Sequence, residues 1–310
     1  MLYGIDIFSG AGGLSLGAEM AGIKISYGIE INPSAAKTFT RNHKDARVLQ
    51  GDITEVDPLS LKQGSDPIFI IMGGPPCQGF SLSNTRTRNM GNEKNFLFLE
   101  FVRFVKELKP TWFVLENVFG LTNINEGKTV TMIENCFKAL DYEVSSKVLW
   151  ASDYGVPQKR NRFFMVGNRH GIKYEFPVPF DRVVTVDEAI SDLPNLVNGQ
   201  MLNEAPYKLP LHKASNYARQ MREGSKIATQ NYVSRNNDLV IERYKYIGQG
   251  QNWRAIPDFL MKNYAEWYLS QIDCKSAFCC YFKLQKEHAH PSIPRQRHLC
   301  QRSSSFTEFP

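Results

Sequence analysis

Cys77 is the residue best placed to do chemistry. It lies in Gly73-Gly-Pro-Pro-Cys-Gln-Gly-Phe-Ser81, directly after the run Ile68-Phe-Ile-Ile71. A short run rich in β-branched and aromatic residues reads as a buried strand ending at the two glycines. The two prolines stiffen the backbone and bar a helix from starting before Cys77. The thiol is therefore presented on a rigid loop at a strand end, where ligands gather in open α/β sheets. A lone free cysteine is most often a small buried hydrophobe, but packing alone needs no such frame. Two further groups have strand-end positions. Glu116-Asn117 closes the apolar run Trp112-Phe-Val-Leu-Glu-Asn-Val118, and a carboxylate there is costly to bury without a purpose. Arg160 and Arg162 end Tyr154-Gly-Val-Pro-Gln-Lys-Arg-Asn-Arg162. They can converge on an anion or a carbonyl oxygen, or they can be a plain surface charge run.

The elements that must position these groups follow from periodicity. Strands are expected over residues 2–8, 23–31, 47–50, 68–71, 112–118, 143–149 and 162–166, and helices over 14–21, 95–108 and 130–140. This order is that of an α/β fold. The first strand runs into Phe8-Ser-Gly-Ala-Gly-Gly13 and then a helix, an arrangement that brings backbone N–H groups close to a cofactor, although the spacing is not G-x-G-x-x-G. Glu30 closes the second strand, where an acid commonly bonds ribose hydroxyls; a solvated carboxylate is the plainer reading. Asp52, in Gly51-Asp52-Ile53, can accept from an adenine amino group or cap the next turn. Together the three strand ends point to an adenosine-type ligand. Residues 81–94, polar and basic, read as a loop suited to phosphate.

The chain has 310 residues, a net charge of +6 and a pI near 8.9, enough for one α/β domain and a smaller one, and basic enough to permit a nucleic-acid partner. No apolar run can span a membrane, and the N-terminus enters a strand without a secretory leader, so a cytoplasmic location with reduced thiols is expected. Prolines recur from Phe176 and periodicity fades. A boundary is placed near Val186, with a loop-rich domain over 186–264. That domain interleaves Arg219, Arg222, Arg235, Arg243, Lys245 and Arg254 with Tyr217, Tyr232, Tyr244, Tyr246 and Trp253, a mixture suited to phosphate and base contacts.

Taken in order, these motifs resemble the DNA cytosine-5 methyltransferases of bacterial restriction–modification systems. Asp6-x-Phe8-Ser9-Gly10-x-Gly12-Gly13 is similar to the family's cofactor loop. Glu30 resembles its ribose acid, Asp52-Ile53 its adenine contact, and GPPCQGFS its nucleophile motif. Glu116-Asn117-Val118 resembles its ENV motif and Gln158-x-Arg160-x-Arg162 its Q-x-R-x-R motif, while Leu97 begins a weaker cofactor-side match. The resemblance implies a Rossmann-like S-adenosylmethionine-dependent sheet with a second, smaller target-recognition domain. It implies Cys77 as nucleophile toward C6 of a flipped-out cytosine, Glu116 against N3 with a raised pKa, Arg162 on O2 supported by Arg160, and Asn117 orienting the loop. The cofactor would lie among Phe8, Ser9, Gly10, Gly12, Gly13, Glu30, Asp52, Ile53, Pro76 and Leu97, with the sulfonium near Phe8 and Pro76. The implied partners are double-stranded DNA and a cognate restriction endonuclease sharing its sequence, with the protein a monomer and no metal required.

The resemblance is strong over 2–170 and weaker beyond. After Ala265 the family's R-x-Q-x-F-P and G-N-x-V patterns are missing. The last stretch carries Cys274, Cys279, Cys280 and Cys300 with His288, His290 and His298, and neither glycine nor valine. Irregular spacing argues against zinc. A shifted reading frame accounts for this composition, and it leaves two readings: an active methyltransferase, or a weakened relative that only binds DNA or cofactor.

Overall fold

A computed structural model describes residues 1–62, 67–76 and 97–261, apart from the side chains of 124–126. Cys77, the loop 81–94 and the segment after Ala265 lie outside the described residues. The described chain divides into two compact units, one of residues 1–149 and 161–178, the other of 150–160 and 179 onward. The division falls at Val178–Pro179, ahead of the Val186 expected from composition, and the Arg160 loop joins the second unit.

The first unit is a seven-stranded sheet in the order β3-β2-β1-β4-β5-β7-β6. Its strands are β1 (Tyr3–Ile7), β2 (Lys24–Glu30), β3 (Arg47–Gln50), β4 (Ile70–Gly73), β5 (Trp112–Val118), β6 (Glu143–Trp150) and β7 (Asn161–Asn168). Pairs among β1 to β5 are parallel, and β7 runs antiparallel to β5. The chain leaves β1 toward β2 and β3, then returns to β4 on the other side of β1. Strand order therefore reverses at β1, the position where doubly wound sheets hold ligands beyond the carboxyl ends of their strands.

Side chains alternate across the sheet, so consecutive apolar residues enter opposite layers. Ile71 and Phe113 join one layer with Phe101 and Phe104 of α3 (Leu97–Leu108) and Phe137 of α4 (Lys128–Lys138). Met72 enters the other layer, with Leu14 and Ala18 of α1 (Gly13–Met20) and Phe39 of α2 (Pro33–Asn42). Phe113 stacks on Phe137 at 4.1 Å, and Phe101 meets both rings edge-on at about 6 Å. Each fully buried phenylalanine contributes about 1.5–3 kcal/mol, so this layer supplies much of the unit's stability.

Helix α2 was not expected from periodicity, because only Ala36 and Phe39 are buried on it. Its signal is chemical. Asn32 caps the helix by accepting from the Ser34 and Ala35 N–H groups, and Pro33 occupies the first turn. The tip of the Phe39 ring reaches β2 because Gly28 lies beneath it; a Cβ there would stand 2.6 Å from the ring.

The second unit is more regular than its composition implied. It contains the antiparallel pair β8 (Met201–Ala205) and β9 (Ala228–Tyr232), with helices α5 (Val186–Ile190), α6 (Asn216–Met221) and α7 (Asp238–Lys245). Thr185 and Glu188 form a reciprocal capping box on α5. Two arginines expected to face nucleic acid are turned inward. Arg222 stacks on Tyr207 at 3.7 Å and bonds Asp192 and the Leu209 carbonyl. Arg243 is buried and donates to the Leu260 carbonyl. Both guanidiniums satisfy polar groups inside the unit, a role that composition does not distinguish from a basic surface.

Candidate active site

Parallel strands place their carboxyl ends along one edge, and Phe8, Glu30, Asp52, Glu116 and Asn117 lie at or just beyond those ends. At the end of β1, Phe8 takes φ 61°, Gly10 φ 56° and Gly12 φ 92°. The Ser9 N–H donates to the Ile29 carbonyl at 3.0 Å, which fixes this turn to β2. Among the described residues nothing lies within 4 Å of an ideal Cβ at Gly10 or Gly13. Gly12 is different: a Cβ would stand 2.1 Å from Nε2 of the buried His43. That ring bonds the Gly12 carbonyl through Nε2 at 3.1 Å and Glu19 through Nδ1 at 2.9 Å.

Glu30 closes β2 and binds both flanking segments. Its carboxylate accepts from the Gly10 N–H at 2.8 Å and the Asn32 N–H at 2.7 Å, and its backbone carbonyl accepts from the Gly51 N–H. Asp52 follows, exposed, with the Thr54 N–H and hydroxyl both donating to Oδ1. Those bonds, the backbone one foremost, hold its carboxyl below the ordinary range. Among the described residues nothing bonds Oδ2. Asp52 thus caps its turn and still offers an oxygen to a ligand, so the two readings of this residue are compatible. Ile53 is buried in the core layer, and Leu97 packs partly buried against the same layer.

At the end of β4 the backbone passes very close to its neighbours. A Cβ on Gly73 would meet the Ile7 carbonyl oxygen at 1.9 Å, and one on Gly74 would meet Oε2 of Glu116 at 2.9 Å. Asn117 is buried and donates through Nδ2 to the Pro75 carbonyl at 3.0 Å. The Pro75 carbonyl, one residue before Pro76, is therefore held by Asn117 of β5, and Glu116 crowds the space a side chain at Gly74 would need.

Glu116 and Arg162 form an ion pair, with Nε 2.7 Å from Oε1. The antiparallel register sets Val118 opposite Arg162 and Glu116 opposite Phe164, which brings Glu116 and Arg162 to diagonal positions on one face. Burial raises the Glu116 carboxyl above its ordinary value, and the Arg162 charge and hydrogen bond only partly offset this. Burial likewise lowers Arg162, against the opposing effect of Glu116. Arg160 belongs to the second unit, where its carbonyl accepts from the Ala151 N–H at 2.8 Å.

Sequence reasoning assigned no role of their own to three residues here. Asp6 of β1 is fully buried and accepts from the Ser15 hydroxyl at 2.6 Å; burial pushes its carboxyl up to about 7, Ser15 opposing and Glu30 adding slightly. Its signal is a carboxylate inside an apolar strand. His43 has no sequence signal. Arg103 has a weak one, its three-residue spacing from Glu100 on α3. Among the described residues no cluster of three His, Cys, Asp or Glu could hold a metal, and no helix is long and apolar enough to cross a membrane.

Comparison with known proteins identifies the family. The family model for C-5 cytosine-specific DNA methylase matches residues 2–297, a span that continues past Ala265. The chain is 41% identical over 226 residues to the Type II methyltransferase M1.HphI of Haemophilus parahaemolyticus, covering 71% of this chain and 59% of that protein. It is 34% identical over 264 residues to M.DdeI of Desulfomicrobium norvegicum, covering 82% and 63%. The chain thus spans about three fifths of the length of these relatives. Among solved structures, a prophage-encoded DNA modification methyltransferase from E. coli matches with a TM-score of 0.65 and 27% identity over 81% of this chain and 77% of that one. With its Rossmann-like sheet and a family match across nearly its whole length, the chain belongs to the C-5 cytosine-specific DNA methylases.

Proposed function

We propose that this chain transfers a methyl group from S-adenosylmethionine to C5 of a cytosine in a specific double-stranded DNA sequence. The observation that carries this reading is the Glu116–Arg162 pair, set at the same sheet edge as the Gly74–Pro76 segment that leads into Cys77.

The cofactor reading is supported by the acceptors at the strand ends. Gly10 and Gly13 face no other described residue, Glu30 suits ribose hydroxyls, and Asp52 Oδ2 suits an adenine amine, with Ile53 and Leu97 beside them. When bound, the cofactor supplies an electrophilic sulfonium methyl.

C5 of cytosine is a poor nucleophile. The Cys77 thiolate would add to C6, and the electron pair released at C5 would take the methyl group as the sulfonium C–S bond breaks and S-adenosylhomocysteine leaves. Loss of the C5 proton to water and departure of the thiolate restore the ring. Glu116, whose carboxyl burial raises above its ordinary value, would share a proton with N3 and draw electron density from C6. Arg162 holds O2, Arg160 supports it, and Asn117 fixes the loop backbone. A base in a duplex cannot reach such a thiol, so the cytosine is flipped out, and the second unit reads the surrounding sequence. Double-stranded DNA is the macromolecular partner. The Type II names of the relatives support a cognate endonuclease sharing the sequence, and the reaction belongs in the cytoplasm with the DNA.

The test is covalent trapping on duplexes containing 5-fluorocytosine, with S-adenosylmethionine present. A denaturation-resistant adduct that disappears in Cys77→Ser is expected. Absence of any adduct across a library of duplexes, with DNA or cofactor binding intact, would replace this reading with that of a binding-only relative.

A further inference from the structure

Arg103 makes an unusual set of bonds for a helix-surface arginine. It projects from α3 toward the turn that follows β3. One terminal nitrogen donates to the Val56 carbonyl at 3.0 Å, and the other to the Ile53 carbonyl at 2.9 Å. Nε and the second terminal nitrogen also donate to Glu100 on the same helix, at 2.8 and 2.6 Å, and the guanidinium lies 4.9 Å from the Phe104 ring centroid. The planar fork is thus aimed by one carboxylate and spends its remaining donors on two backbone carbonyls.

Those carbonyls belong to the turn that carries Asp52. Ile53 packs in the core beneath it, Asp52 caps it, and the Gly51 N–H ties its start to the Glu30 carbonyl. α3 also begins with Leu97. One side chain therefore joins the two segments that bracket the adenine end of the cofactor reading above.

We propose that Arg103, aimed by Glu100, is a positioning residue that sets the Asp52 turn at the distance from α3 needed to grip an adenine ring. This rests on the cofactor reading. A lysine retains the charge but, lacking the fork, cannot bond both carbonyls and Glu100 together. The effect falls on cofactor affinity and not on the methyl-transfer step, because Arg103 touches none of the reacting groups.

The experiment is calorimetric titration of the full chain with S-adenosylhomocysteine. Arg103→Lys is expected to raise Kd about tenfold, from the loss of one charge-assisted bond with its geometry. Its kcat at saturating cofactor should stay within about twofold of the parent, since binding and chemistry separate. Asp52→Asn should cost less affinity in the Arg103→Lys background than alone, a coupling that a general folding defect does not produce. If Arg103→Lys fails to fold, Glu100→Gln frees the guanidinium with little change of shape and should raise Kd about threefold. A parent chain that binds the ligand while the variant that folds binds it equally well overturns the Arg103 inference alone. A parent chain that does not bind S-adenosylhomocysteine overturns the cofactor reading and this inference with it.

Discussion

Replacing Asp6 with asparagine should remove a pH dependence built into the centre of the sheet. Asp6 pairs with Gly28 on one side and Met72 on the other, and is fully buried. Burial raises its carboxyl from 3.8 to about 7, against the hydrogen bonds from Ser15 and with a small addition from Glu30. A raised folded-state pKa stabilises the protein below the unfolded value, and the stabilisation disappears as pH rises through the folded value. For Asp6 the window therefore runs from about 4 to about 7. Each unit is worth about 1.4 kcal/mol, so between pH 5 and pH 8 the parent should lose about 2–3 kcal/mol from this group alone. The asparagine side chain of Asp6→Asn can still accept from the Ser15 hydroxyl, but it cannot ionise. Its buried amide adds an offset common to every pH. Urea unfolding of parent and Asp6→Asn at half-unit steps should give curves that diverge across this window, the variant gaining relative to the parent as pH rises. Parallel curves would refute the assignment of a raised pKa to Asp6, whatever the constant separation between them.

Two further outcomes follow from backbone geometry. Gly73→Ala should cost about 3 kcal/mol or abolish folding, because the new methyl group would meet the Ile7 carbonyl oxygen in the paired strand; an unchanged melting temperature would contradict the β1–β4 approach. Asn32→Ala should lower stability by about 1 kcal/mol through loss of the α2 cap, measured as a shift in the urea midpoint at constant slope.

How far the sequence revealed this arrangement depended on whether the signal was local. β3 and β5 run over the residues expected from their patterns, since an apolar run ending at polar residues marks a strand without reference to the rest of the fold. β4 is shifted: it begins at Ile70 and includes Gly73, because pairing to β1 extends through Ile7. α2 escaped periodicity, since two buried residues do not make a stripe, and its cap was the readable feature. Among site residues, the alignment of Glu116 with Arg162 depends on strand register, which neither segment encodes alone. Arg222 and Arg243 illustrate the reverse limit. Their composition matched a nucleic-acid surface, but Tyr207, Asp192 and the Leu260 carbonyl draw them inward, and those partners lie well away from them in the chain.

The register between β5 and β7 also determines which sequence changes the molecule can absorb. Ahead of Gln158 the connection between β6 and β7 can vary in length, because Arg162 is placed by its pairing with Val118 and not by the path that leads to it. Inside β7 the tolerance vanishes. Deleting one residue between Arg162 and Phe164, with the rest of the ladder retained, would turn Arg162 to the opposite face and leave Glu116 facing a different side chain. Insertions ahead of Gln158 therefore leave the pair intact, whereas a single-residue deletion just after Arg162 separates the carboxyl group from its guanidinium without altering either residue.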